Sequence, residues 1–177
     1  MPENQDGSSW AVNALPQQST EMVIVETAEI PTGVVRFADW SMERMEEAFD
    51  ATFSRLPDAL AAQGLAPAGP AFSLHHRMPE DTADFEVGLP LSAPLGAAIE
   101  TPGGLRIEAS RLPGGRVAAV SAIGGYDRLS EAWGALMEAV AAAGDRPELP
   151  FWEVYVSEPT PEADPATLRT DLFTRLG

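Results

Sequence analysis

The sequence predicts an α+β fold of two tandem strand–helix–strand–strand modules, with pseudo-two-fold symmetry, antiparallel sheets and a central ligand cleft. Three observations carry that prediction. Short stretches that alternate apolar and polar residues flank two stretches whose apolar residues recur at three- and four-residue steps. That order occurs twice, and the interval from Val34 to Phe72 nearly matches the one from Val117 to Phe151. A Gly/Pro-rich stretch over residues 90–104 divides the two copies, giving module one over 21–94 and module two over 103–177. A unit of that size buries too little surface to be stable alone, whereas two copies sharing a core leave a natural cleft between them.

The elements follow in order. Residues 1–20, rich in Gln, Asn, Ser and Pro, read as a flexible lead-in, and neither Trp10 nor Leu15 has an assigned place in it. Residues 21–30 alternate around Met22-Val23-Ile24-Val25 and read as a strand. A second strand covers 33–37, with Gly33 allowing a turn after Pro31. From Ser41 the period changes: Met45, Phe49, Thr52, Phe53, Leu56 and Leu60 fall on one helix face. Ser41 is the expected N-cap, Glu43 favours the dipole, Pro57 kinks or divides the helix, and Gly64 ends it. Residues 71–76 and 84–91 make two more strands. The second module repeats this with strands at 105–110 and 116–123 and a turn at Gly124-Gly125. Its helix carries Leu129, Trp133, Leu136, Met137 and Val140, with Asp127 as expected cap and Gly144 as stop. A strand around Trp152, a Pro-rich excursion over 158–165 and a last strand over 168–176 complete it.

Composition narrows the function. Acidic residues number 27 against 11 basic ones, a net charge of −16. Such a surface repels nucleic-acid backbones, and no Lys/Arg cluster exists to lie along one. It attracts lipophilic cations, over roughly 8 Å at physiological salt, although solubility alone is an equal reason for the charge. There is no cysteine, so disulfides, thiolate metal sites and thiol nucleophiles are excluded. No apolar run approaches the roughly 20 residues that span a bilayer, and no secretory signal opens the chain, so a cytoplasmic location is expected. His75 and His76, the two histidines, point to opposite faces of one strand and cannot share an ion; no metal or cofactor is expected. The pairs at Gly103-Gly104, Gly114-Gly115 and Gly124-Gly125 read as turns, lacking the spacing and following Lys of a phosphate loop.

The most informative stretch is Pro150-Phe151-Trp152-Glu153-Val154-Tyr155-Val156. Strand alternation sends Trp152, Val154 and Val156 one way and Phe151, Glu153 and Tyr155 the other. A carboxylate between two aromatics on one face suits a pocket for a flat, apolar, positively charged guest. The plain structural alternative is an ion pair of Glu153 with Arg116 or Arg169.

Three further segments sharpen this reading. Leu112-Pro113-Gly114-Gly115-Arg116-Val117-Ala118, Gly124-Gly125-Tyr126-Asp127-Arg128-Leu129 and Phe151-Trp152-Glu153-Val154-Tyr155 resemble the GyrI-like small-molecule-binding family. That family includes effector-binding domains of AraC- and MerR-type drug-responsive regulators. In module one, Asp84-Phe85-Glu86-Val87-Gly88-Leu89-Pro90-Leu91 also resembles its strand pattern. The resemblance implies an aromatic-walled pocket between fused modules, bulky hydrophobic cations as guests, and a central strand glutamate facing them. That role carries over to Glu153, the tyrosine at the helix start to Tyr126, and the neighbouring strand aromatic to Tyr155. Some freestanding members are reported to hydrolyse cyclopropane-bearing DNA-alkylating natural products. A helix-turn-helix does not precede the domain here, so action on transcription is expected to pass through another chain.

Four further candidates remain. Phe151 lies on the Glu153 face of its strand and is a ligand contact. Trp133 lies on the helix stripe, as core or as one pocket wall. Trp40 corresponds loosely to Tyr126 and is a second wall. Glu86 is a second pocket carboxylate or a solvated edge. Three functions follow: a binder of cationic aromatic compounds, a cyclopropane-opening hydrolase with Glu153 as candidate catalytic group, and a protein-partner role toward a regulator or gyrase. No dedicated docking motif supports the third.

Overall fold

The structure, a computed structural model, describes residues 12–157, 162 and 164–177. Trp10 and most of the expected excursion over 158–165 lie outside the described residues. Among the described residues nine strands form: β1 (Val23–Thr27), β2 (Ile30–Ser41), β3 (Phe72–His75), β4 (Thr82–Pro90), β5 (Ile99–Glu100), β6 (Arg106–Leu112), β7 (Gly115–Ile123), β8 (Pro147–Tyr155) and β9 (Arg169–Leu176). Helices α1 (Met45–Phe53) and α2 (Leu56–Ala62) follow β2, and α3 (Leu129–Ala142) follows β7. The strands form one antiparallel sheet in the order β1-β7-β9-β8-β3-β4-β2-β6-β5. The central pair is β8–β3, with β9 and β7 on one side and β4 and β2 on the other, and the expected modules interleave, because β1 pairs with β7 and β6 with β2.

Sequence explains the local structure. Ser41 caps a 3-10 turn, its Oγ accepting the Glu43 N–H at 3.3 Å, and that turn feeds α1. Pro57 sits in the first turn of α2, where it needs no N–H donor, so the predicted helix divides ahead of it. Gly64 and Gly144 stop their helices at φ +74° and +80°, conformations that cost a side chain energy. Asp127 is not a cap: Gly125 holds that position without a side-chain hydrogen bond, and Asp127 sits inside a 3-10 turn, Tyr126–Arg128. Gly33 is not a turn either. The chain runs on from β1 into β2 without a turn, in continuous register with β7 and β6, and Gly33 lies within β2, paired to Leu89 and Ala109.

Helices cover one face of the sheet only. Helices α1 and α2 pack Ala48, Leu56 and Leu60 against Val35, Phe37, Phe85 and Val87. Helix α3 packs Leu136 and Val140 against Ala118 and Leu172. The reverse face carries its own core of Phe72, Leu74, Leu112, Val117, Trp152 and Phe173. It closes because the sheet curls: β1 pairs at one end and β2 near the other, yet only two residues separate them in sequence. The β1–β2 and β6–β7 corners meet, with Thr27 donating its hydroxyl to the Pro113 carbonyl at 3.1 Å. A side chain at Gly114 would lie 2.9 Å from the Glu29 nitrogen, so this crossing requires glycine. Gly88 serves the same curl, since a Cβ there would meet the Gly33 carbonyl at 2.2 Å.

The lead-in departs from expectation over residues 12–19. Leu15 is buried against the reverse-face core, and Ser19 exchanges hydrogen bonds with Ser121. Hydrogen bonds from Asn13 to Pro70 and from Val12 to Ala68 tie the strap down further. Polar composition alone concealed one apolar anchor with a built seat.

Candidate functional site

The candidate site lies on the central strands, between the two sets of helices. Helices α1 and α2 cover β4 and β2, while α3 covers β7 and β9, so the central strands β8 and β3 fall between them. Register places Glu153 opposite Ser73 and Phe151 opposite His75, all on the helix-covered face. Trp152 and Val154 turn to the reverse-face core, as alternation along the strand requires.

Glu153 is held by its neighbours. Trp133 Nε1 of α3 donates to Oε2 at 2.7 Å, and the Tyr155 hydroxyl donates to Oε1 at 2.8 Å. Tyr155 in turn shares a 2.7 Å hydrogen bond with Ser73 Oγ of β3. Among the described residues no arginine reaches Glu153. Arg116 pairs with Asp145 at 2.7 Å and Arg169 with Asp171 at 2.9 Å, so the ion pair weighed from sequence does not form. Burial pushes the Glu153 carboxyl above its ordinary pKa, against the opposing pull of the Trp133 and Tyr155 hydrogen bonds. Burial raises Tyr126 and Tyr155 too, with the Glu153 charge adding to it, so both phenols stay protonated.

Aromatic rings wall the seam. Tyr126, in the turn before α3 and 41% exposed, meets Tyr155 edge-on at 5.8 Å. Phe49 of α1 meets Tyr155 edge-on at 5.7 Å from the opposite side. Trp133 stands edge-on to Phe151 at 4.9 Å. From Phe151 a ladder of rings crosses four strands: His75 at 5.1 Å and 5° from parallel, Phe85 at 5.5 Å from His75, and Phe37 at 5.1 Å from Phe85. Trp40 closes its far end, edge-on to Phe37 at 5.0 Å.

The structure thus brings Glu153, Tyr155, Tyr126, Phe151 and Trp133 together. Trp40 stands four ring contacts away from Phe151. It shares a face with Phe37, despite opposite parity along β2, because a bulge between them flips it, with Asp39 at φ +52°. Its indole donates to the Arg44 carbonyl at 2.8 Å, with the Arg44 guanidinium 4.5 Å from the ring centroid. Glu86 is not brought to Glu153, nor is it a solvated edge. It pairs across β3 with Leu74, on the reverse face, and is 2% exposed. There it accepts from Ser110 Oγ and lies 2.7 Å from His76 Nε2, in a groove of about 530 Å³ that Arg36 and Arg111 also line. Phe49 and Ser73 were missed as site residues. Phe49 reads as one more core position on a helix stripe, and Ser73 is marked only by its pairing with β8, which no local pattern reveals.

No group of three or more His, Cys, Asp or Glu side chains among the described residues is placed to hold a metal. No helix among them is long and apolar enough to cross a membrane.

Comparison with known proteins agrees with this architecture. The profile of the GyrI-like small molecule binding domain matches residues 21–176. No curated protein matches the chain. Among solved structures, the EcmrR C-terminal domain superposes with a TM-score of 0.68 at 17% identity, covering 89% of this chain and 97% of that one. A hydrolase from Listeria innocua superposes at 0.63 and 10% identity, covering 91% and 94%. SAV2435 bound to tetraphenylphosphonium superposes at 0.58 and 10% identity, covering 89% and 94%. At these identities the likeness establishes the fold.

Proposed function

Because the chain belongs to the GyrI-like small-molecule-binding family, we propose that it binds bulky hydrophobic, cationic aromatic molecules at the β8–β3 seam, for drug or toxin sensing or sequestration. The observation that carries this reading is Glu153: a carboxyl held by an indole and a phenol, walled by Tyr126, Tyr155, Phe49 and Phe151, and without an arginine partner. A buried carboxylate without a counter-charge is costly, and a cation about 4 Å away returns about 4 kcal/mol at an effective dielectric of 20. Ring faces add about 0.5–2 kcal/mol each toward a cation. Tetraphenylphosphonium, the ligand of one structural neighbour, is the natural probe. Calorimetric titration is expected to show micromolar binding of tetraphenylphosphonium and at least tenfold weaker binding of neutral triphenylphosphine oxide. Equal affinities would mean that the seam reads shape and not charge.

A second reading, hydrolysis of cyclopropane-bearing DNA-alkylating compounds at the same seam, is favoured by the structural neighbour described as a hydrolase. Here Glu153, its pKa raised by burial, would serve as the acid or orient a water, and Tyr126 or Tyr155 would position the substrate carbonyl. Incubation with such compounds, followed by mass spectrometry, is expected to show a gain of one water. Unchanged compound across a panel would remove this activity and leave binding standing.

A further inference from the structure

The reverse face carries polar groups that the seam does not use. Glu86 lines the groove of about 530 Å³ there and is 2% exposed. Ser110 Oγ donates to its Oε1 at 2.7 Å, and His76 Nε2 lies 2.7 Å from its Oε2. A carboxylate has about four acceptor positions, so Glu86 keeps capacity for further donors. Arg36 stands beside it, half-exposed, with Nη2 3.9 Å from Glu86 Oε2 and Nε 3.9 Å from Glu108 Oε2. Both distances are too long for a hydrogen bond. Arg111 brings a second, largely exposed guanidinium to the same groove, 3.3 Å from Glu29. In a chain with 11 basic residues against 27 acidic ones, two arginines and a histidine gathered at one groove are no feature of solubility.

The chain itself shows what such a set can hold. Asp171, on the same face of the sheet, is likewise a buried carboxylate that accepts from a serine, Ser121, and is joined by an arginine, Arg169. That set is filled. Asp171 Oδ2 accepts the Leu15 N–H and Arg169 Nη2 donates to the Leu15 carbonyl, so the two side chains grip both polar ends of one apolar residue. Glu86, Ser110 and Arg36 repeat the chemistry around an open groove. We propose that this groove binds a free α-amino acid with an apolar side chain. Its ammonium donates to Glu86, its carboxylate accepts from Arg36 and Arg111, and its side chain lies along Leu74, Pro113 and Pro150. Acceptor and donor stand side by side in the groove, and an α-amino acid carries its ammonium and carboxylate side by side too. The charged guest fits better than a neutral backbone unit like Leu15. Its two charges complement a buried carboxylate and a guanidinium that has no hydrogen-bonded carboxylate of its own.

Titration of ¹⁵N-labelled protein with L-leucine, followed by amide NMR, reads both affinity and place. Saturable binding is expected with a Kd of about 1 mM or lower, with shifts centred on Arg36, Glu86 and Ser110. Two half-guests separate the charges: isoamylamine lacks the carboxylate, and 4-methylpentanoate lacks the ammonium. Each is expected to bind at least tenfold more weakly than L-leucine. Glu86→Gln and Arg36→Met should each weaken L-leucine at least tenfold, and Glu153→Gln should leave it unchanged. A half-guest that matches L-leucine overturns the proposal, since the groove would then read a single charge. N-acetyl-L-leucinamide matching L-leucine overturns it as well, in favour of a chain segment like the strap. Shifts that fail to saturate by about 10 mM, or that centre on Glu153, also overturn it. Should Glu86→Gln not fold, the four probes on wild type decide. Groove and seam lie on opposite faces, so none of these results bears on cation binding at Glu153.

Discussion

Replacing Glu153 by glutamine is expected to lower the affinity for tetraphenylphosphonium about a hundredfold, about 2.7 kcal/mol, while making the unliganded protein more stable at neutral pH. The two effects share one cause. Glu153 is half-buried among Trp133, Tyr155 and the seam aromatics, and the loss of solvent around its carboxyl raises its pKa. A carboxyl whose folded pKa is raised contributes stability that is full below the unfolded pKa, near 4.5. That contribution is lost as pH rises toward the folded value, because only the unfolded chain releases its proton easily. Wild-type stability should therefore decline as pH rises above about 4.5, and cation affinity should climb over the same window, because a bound cation favours the ionised form. Glutamine removes both slopes. Its carbonyl can still accept from Trp133, and Tyr155 can turn to accept from its amide while donating to Ser73. Thermal melts and titrations between pH 4 and 8 check both halves. A variant that binds the cation as tightly as wild type would transfer the recognition to the aromatic walls. One that melts lower at pH 7 would make Glu153 a structural group.

How far the sequence exposed this site depends on which interactions are local. Alternation along β8 separated Phe151, Glu153 and Tyr155 from Trp152 and Val154, because a strand's period of two is a covalent property of its own backbone. The division of the first helix at Pro57 was legible for the same reason. What local pattern could not show is who stands opposite. Ser73 and His75 enter the site through the β3–β8 pairing, which joins residues far apart in sequence. Glu86 illustrates the converse. It carries the right chemistry for a pocket, but its register opposite Leu74 turns it to the other face, and a shift of one residue would have reversed that. Trp40 came to the helix face only through a bulge. The acidic composition likewise hid the fact that Arg116 and Arg169 already have carboxylates of their own.

Replacing Asp171 by alanine should be the most damaging single change to the fold, at about 3–5 kcal/mol, the range for breaking one side of a buried ion pair. Asp171 is fully buried on β9, pointing away from the helices toward the strap over residues 12–19. Its Oδ1 accepts from Ser121 Oγ at 2.8 Å and Arg169 Nε at 2.9 Å. Its Oδ2 accepts from the Leu15 N–H and from Arg169 Nη2, each at 2.9 Å. Arg169 Nη2 also donates to the Leu15 carbonyl at 3.0 Å, so the pair grips both backbone groups of the strap's anchor residue. Alanine leaves a largely buried guanidinium without its carboxylate and leaves the Leu15 N–H without an acceptor. Urea denaturation should show a lower midpoint with an unchanged slope, the sign of lost stability without a changed unfolded state. Removing Arg169 as well should recover part of the loss, since the orphaned charge carries much of the cost. If the double variant is instead less stable than Asp171→Ala by as much as Arg169→Ala is less stable than wild type, the two groups act independently and the ion pair between them adds nothing. The network also bears on the site. It holds the strap over the core containing Trp152, the residue beside Glu153, so the reverse face fixes the strand that presents the carboxyl to its guest.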